Sequence, residues 1–259
     1  MVAYKQGENK QGEKSIAKAL PASSILLVRD EPAGLEVLMI ERAKTMKFAP
    51  GAFVFPGGKV DREDNDQNLW GPLTNSGAHC SDLPSRIAVL RELYEEASVL
   101  LTVRQPPAAN VTHELSGYLQ RSNSILDTEG LVPFAHWVTP ETMPRRFNTY
   151  FYLAKHNGQD AVHDGDEAIS MRWVRPKDLL HDWGADKVPL MFPTRLNLIK
   201  LARAETVEDA LNLARSDDIA CTLPMVSRDE NGVTVTINDT AGYGVTQATE
   251  KELRVERPK

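Results

Sequence analysis

Cysteine is scarce in this chain. Among its 259 residues there are two, Cys80 and Cys221, widely separated in sequence. That is too few for a disulfide framework or a cysteine zinc site, and it fits a reducing, cytoplasmic compartment. There is no apolar run of transmembrane length, so no membrane partner is expected. Positive charge is in deficit: 30 Lys and Arg against 36 Asp and Glu give a formal net charge of −6. That argues against general nucleic-acid binding, while leaving room for a local basic pocket. Residues 1–19 contain few large apolar side chains and no apolar signal core, and they read as a flexible leader. What remains is an ordinary globular mixture, 41% hydrophobic and 25% charged, sufficient for one large domain with an extension.

Apolar runs at Ser24–Arg29 and Leu35–Arg42 flank a turn containing Pro32 and Gly34, which predicts a β-hairpin. A loop carrying Lys44, Lys47 and Phe48 leads to a short strand, Phe53–Phe55, ending in Pro56-Gly57-Gly58. Residues 62–84 are polar and turn-rich and read as an insertion. Further strands are expected over Leu131–Val138, Arg145–Ala154 and Glu167–Val174, and helices over Val111–Arg121 and from Pro176. Beyond Pro193, two segments with helical spacing precede a sparse tail. Strands interspersed with helices give the α/β class. The expected boundaries are 1–19 for the leader, 20–190 for the main domain and 191–259 for a mainly helical C-terminal extension packed on it.

One helix organises the chemistry. Ser85–Leu101 is amphipathic, with Ser81 or Asp82 as its expected cap and Pro84 in the first turn. At about 100° per residue, Glu92, Glu95 and Glu96 fall in one narrow sector with Ser85 and Ala88. Ile87, Leu90, Leu93, Tyr94 and Ala97 lie roughly opposite and suit a core. Stacked carboxylates repel and destabilise a bare helix. They describe either a solvated acidic face or a site for a hard divalent cation such as Mg²⁺ or Mn²⁺. Arg91, beside this sector, is placed to grip a glutamate or a phosphate, and Gly57 can bring a backbone carbonyl close.

Gly58, the inserted loop, and then Arg91-Glu92-Leu93-Tyr94-Glu95-Glu96-Ala97-Ser98 resemble the Nudix signature, a loop–helix–loop element. By strict count the acid that precedes the helix falls on Asp64, with Glu63 adjacent. Arg91 lies about nineteen residues farther on than the family spacing places it, and Ser98 stands where the family has Gly. The resemblance implies an α/β/α sandwich with a mixed β-sheet and metal-dependent hydrolysis of a nucleoside diphosphate linked to another group. It assigns metal ligation to Gly57, Glu92, Glu95, Glu96 and the later acid Glu167, and catalysis to Glu95, Glu92 and Arg91.

The segments Phe48–Gly58, Trp137–Pro140, Pro144–Thr149 and Pro193–Arg195, with the insertion, are similar to the coenzyme A diphosphatase subgroup, in a bacterial member. That implies coenzyme A or acyl-CoA as substrate. ADP-ribose, NADH or a nucleotide sugar is the alternative, and a non-catalytic ligand-binding Nudix domain is the rival of another class. Arg145 and Arg146 are candidates for substrate phosphate, although adjacent strand residues face opposite ways. Phe48 is a candidate contact to the nucleotide. The expected partner is a small-molecule nucleotide; whether the chain forms a homodimer is left open.

Overall fold

A computed structural model describes residues 16–43, 51–76, 80–104, 114–162, 168–230 and 232–253. Strand β1 (Ala19–Glu31) turns through Pro32 and Ala33 into β2 (Gly34–Arg42), pairing Val28 with Val37. Short strands β3 (Phe53–Val54) and β4 (Gly57–Lys59) follow. β1 is long enough to hold two partners on one edge: β2 pairs with its C-terminal half, and β4 with Ala22–Ser24. A hydrogen bond from the Ile25 amide to the Pro56 carbonyl joins the two pairings.

The insertion is built rather than loose. A 3-10 turn at Glu63–Asn65, helix α1 (Gln67–Trp70, capped by Asp66) and a second 3-10 turn at Gly71–Leu73 bury Trp70 and Leu73. The Trp70 indole donates to the Glu63 carbonyl at 3.0 Å. These two large apolar residues among polar ones are what order the segment. Helix α2 (Leu83–Ala97) and the short α3 (Leu115–Ser122) come next. Strands β5 (Val132–Val138), β6 (Arg146–Lys155) and β7 (Ala168–Val174) complete most of the main sheet. β6 runs parallel to β1 from Ala19 to Val28, β5 is antiparallel to β6, and β7 is antiparallel to β2.

Helices α4 (Pro176–Gly184), α5 (Phe192–Leu201) and α6 (Val207–Ser216) follow. β8 (Cys221–Thr222) then adds in parallel to β5 at the end of the eight-stranded sheet. The extension is therefore helical only as far as Ser216. Strands β9 (Met225–Asp229), β10 (Gly232–Thr236) and β11 (Gln247–Thr249) form a separate antiparallel sheet, ending in α7 (Glu250–Leu253).

Side chains alternate across β1: Ile25 and Leu27 join one apolar cluster with α1, α2 and α3, while Leu26 and Val28 join another with α4, α5 and α6. The mixed sheet is thus covered on both faces, the expected α/β/α sandwich. The tail closes onto the second cluster, where the Trp137 indole donates to the Tyr243 hydroxyl at 2.8 Å and that hydroxyl donates to Asn197 Oδ1 at 3.0 Å. Among the described residues no helix is long and apolar enough to cross a membrane.

Candidate active site

Helix α2 does not have the two-faced burial that its spacing suggests. Ala88, in the acidic sector, is fully buried along with Val89, because the Glu92 and Glu96 part of the stripe faces β4, while Glu95 is exposed. Contact there depends on glycine. A Cβ on Gly58 would collide with the Glu92 carboxylate, and one on Gly57, whose φ is 149°, would collide with the Ser23 carbonyl. Gly58 lets the strand lie directly against Glu92, and Gly57 lets it close onto β1.

Arg91 gathers the acids. Its Nε and Nη2 bond Asp64 Oδ1 and Oδ2 at 3.1 and 3.0 Å, a bidentate fork, and its Nη1 reaches Glu92 Oε1 and Glu95 Oε2, both at 3.0 Å. Asp64 is 1% exposed, and it also accepts from the Asp61 amide at 2.7 Å. Asp64, on which strict counting falls, is thus the acid that Arg91 holds, whereas Glu63 offers its backbone carbonyl to Trp70. Glu96 Oε2 accepts from the Gly57 amide at 2.9 Å. Burial alone would disfavour the Arg91 cation, but Asp64, Glu92 and Glu95 outweigh it and hold the guanidinium protonated. Burial pushes the Glu92 carboxyl upward, opposed by Arg91 and reinforced by Glu95 and Asp61.

The donor set suits a hard divalent cation: three carboxylates on a rigid helix, two of them brought against glycine backbone where no side chain intervenes. Among the described residues no three acidic, histidine or cysteine side chains already converge as ligands; the carboxylates point at Arg91 and the Gly57 amide instead.

Ser98, in place of the family glycine, ends α2 in the left-handed conformation a glycine would take, with φ 55° and ψ 19°, and its amide donates to the Tyr94 carbonyl at 2.9 Å. Asp82 stands at the N-cap position but makes no capping bond. Its carboxylate instead takes hydrogen bonds from Arg86 Nε at 2.9 Å, the Tyr152 hydroxyl at 2.9 Å and the Cys80 thiol at 3.0 Å. Burial would raise its pKa, yet these bonds prevail and hold it below the usual carboxylate value. Only the i, i+4 spacing of Asp82 and Arg86 hinted at this hub in the sequence.

Of the predicted phosphate contacts, Arg146 is buried and spends Nε and Nη1 on the Thr139 and Ala17 carbonyls at 3.0 and 2.8 Å. It ties the segment before β1 to the start of β6. Arg145 is exposed. Phe48, Glu167, Lys44, Lys47 and His163 lie outside the described residues.

A model of the NUDIX domain matches residues 18–192. Putative nudix hydrolase 7 of Caenorhabditis elegans is 30% identical over 210 residues, covering 76% of this chain and 66% of that protein. Acyl-coenzyme A diphosphatase NUDT19 of Xenopus laevis is 24% identical over 264 residues, 78% of this chain and 70% of its own length. The human protein of that name is 24% identical over 241 residues, covering 70% and 64%. The chain thus spans about two thirds of the length of these curated relatives. They are animal proteins, so the expected bacterial affinity is not borne out. The crystal structure of a NUDIX hydrolase from Alicyclobacillus acidocaldarius superposes with a TM-score of 0.66 at 27% identity, covering 76% of this chain and 97% of that one. With the family model matching most of its length, and the glycine–glutamate contact and Arg91 network at its centre, the chain belongs to the NUDIX domain family.

Proposed function

We propose that this protein hydrolyses a nucleoside diphosphate linked to another moiety, and that coenzyme A or an acyl-CoA is its substrate. One observation carries the reaction class: a single guanidinium holds Asp64, Glu92 and Glu95 while the Gly57 amide fixes Glu96. An acidic set so arranged is organised before substrate arrives. Support for the substrate comes from the segments shared with the coenzyme A diphosphatase subgroup and from relatives named acyl-coenzyme A diphosphatase.

Glu92, Glu95 and Glu96, with the Gly57 carbonyl and Glu167, are the residues that would hold Mg²⁺ or Mn²⁺. A cation held there would polarise the diphosphate and make a bound water more acidic. Glu92, its carboxyl raised by burial, or the more exposed Glu95 accepts the proton from the attacking water. Arg91 keeps both carboxylates oriented. Arg145, exposed and unburdened by the carbonyls that occupy Arg146, is the cation offered to a substrate phosphate.

The test is to incubate purified protein with CoA, acetyl-CoA, NADH and ADP-ribose, each in Mg²⁺ and in Mn²⁺, and to identify the products. CoA esters are expected to yield an adenosine bisphosphate and an acyl-phosphopantetheine. Fast cleavage of ADP-ribose with no turnover of CoA esters would overturn the substrate assignment and leave the reaction class standing.

A further inference from the structure

On the helix-side face of the sheet, one row of paired residues leads away from Glu92. Gly58 of β4 pairs with Ser23 of β1, Ser23 with Tyr150 of β6, and Tyr150 with His136 of β5. Directly paired residues share a face. That face is the one bearing α2: Ile25 and Leu27 continue the Ser23 side into the α2 cluster, and Tyr150 packs against the same cluster. Gly58 meets the Glu92 carboxylate there.

Three features of this row are unexplained by the hydrolytic centre. The His136 and Tyr150 rings are stacked, with centroids 4.1 Å apart and planes within 7°, and both are half-buried. His136 Nε2 lies 2.5 Å from Asn148 Oδ1, a contact that fixes the ring. The Ser23 hydroxyl, 1% exposed, has no hydrogen-bond partner among the described residues. It is an unspent polar group between the Glu92 carboxylate and the ring pair.

The geometry points to a nucleobase platform: the adenine of the substrate stacks on the His136–Tyr150 pair while its diphosphate lies at Glu92. This rests on the hydrolase reading above. At about 4.8 Å per strand, Tyr150 is about 10 Å and His136 about 14 Å from Gly58 along the sheet, within the reach of a ribose carried on a diphosphate. A parallel pair of rings presents a flat π surface, which a purine extends. The row runs from the acidic centre straight to the rings, so one extended nucleotide spans both.

The test is calorimetric binding of ADP and of inorganic diphosphate, each with Mg²⁺, to the full chain. His136→Ala and Tyr150→Ala are compared with His136→Phe and Tyr150→Phe, which keep a ring, and with Tyr150→Leu, which fills the space without one. Thermal melts verify folding, and the Leu variant carries the comparison if an alanine variant unfolds. The expected result is an ADP affinity about 10- to 100-fold weaker in the ringless variants, an inorganic diphosphate affinity that moves less than about 2-fold, and retention of ADP binding by the Phe variants. Equal losses for ADP and diphosphate, or unchanged ADP affinity in the ringless variants while the wild type turns over nucleotides, overturn the platform alone. A wild type that neither binds ADP nor cleaves any nucleoside diphosphate derivative overturns both the platform and the hydrolase reading.

Discussion

Arg91 connects stability with chemistry through one side chain. Its partner Asp64 is almost wholly buried and has no other cation beside it among the described residues. Replacing Arg91 by Ala leaves a buried carboxylate unpaired, and a loss of about 3–5 kcal/mol in unfolding free energy is expected from denaturant titration. Asp64→Asn keeps the volume and is expected to cost less, because the remaining acids still hold the guanidinium. Glu95→Gln has a different signature. Glu95 is 40% exposed at its side chain, so the melting temperature should hardly move while turnover falls by orders of magnitude; wild-type rates in that variant would displace the proposed site. Ser98 is a third case. A non-glycine residue held in the left-handed region is strained, and Ser98→Gly is expected to stabilise the protein by about 0.5–1 kcal/mol in the same titration. These residues differ in how legible they were. The glutamates announced themselves by helical spacing and Ser98 by departing from a pattern. Arg146 gave no sign that two backbone carbonyls would claim it, since such contacts depend on where the segment before β1 lies.

At the scale of elements, α2 was readable over nearly its whole length, yet its environment was not. Periodicity finds one buried face; it does not reveal that a glycine strand distant in sequence covers part of the other. The start of the helix shows the same limit. Asp82 reads as a cap, but Tyr152 from β6 and Arg86 from the next turn draw its carboxylate away. Because those bonds depress its pKa in the folded state, Asp82 binds a proton less readily there than in the unfolded chain. Its stabilising contribution is therefore complete above the ordinary aspartate pKa, about 3.9, and is lost as pH falls through the lower folded-state value. Asp82→Asn should melt well below wild type at neutral pH, and the gap should close in strong acid; a gap constant across that range would show that the charge is irrelevant. The insertion shows the opposite error. Its polar composition suggested a loop, but Trp70 and Leu73 supply enough apolar surface to order it against α2.

For the molecule as a whole, the sandwich class was legible because strand alternation and helix spacing are local, whereas the tail was not. Residues after Ser216 carry little periodicity, and their placement is decided by long-range partners such as Trp137 and Asn197 meeting Tyr243. Burying Val235, Ile237, Tyr243 and Ala248 against the sheet makes the tail part of the core. Tyr243→Phe removes a hydroxyl that serves two buried partners, leaving both unsatisfied, and a loss of about 1–3 kcal/mol is expected by denaturant titration, with activity retained at temperatures below the transition. A divalent cation binding only the folded chain adds stability as the logarithm of its concentration. The melting temperature should therefore rise with Mn²⁺ in the wild type and far less in Glu92→Gln.

The long first strand has one more consequence, and it concerns synthesis. Ala19–Val28 pairs in parallel with Arg146–Lys155, so its central neighbour lies more than a hundred residues downstream. On the ribosome, β1 and β2 can form their hairpin early, but an entire edge of β1 stays without a mate until β6 has left the exit tunnel. Such distant pairing is slow and exposes sticky edges in the interval. The emerging chain passes through a stage with helix α2 already made and strands β5 and β6 still missing from the sheet beneath it, a stage at which chaperone engagement matters most.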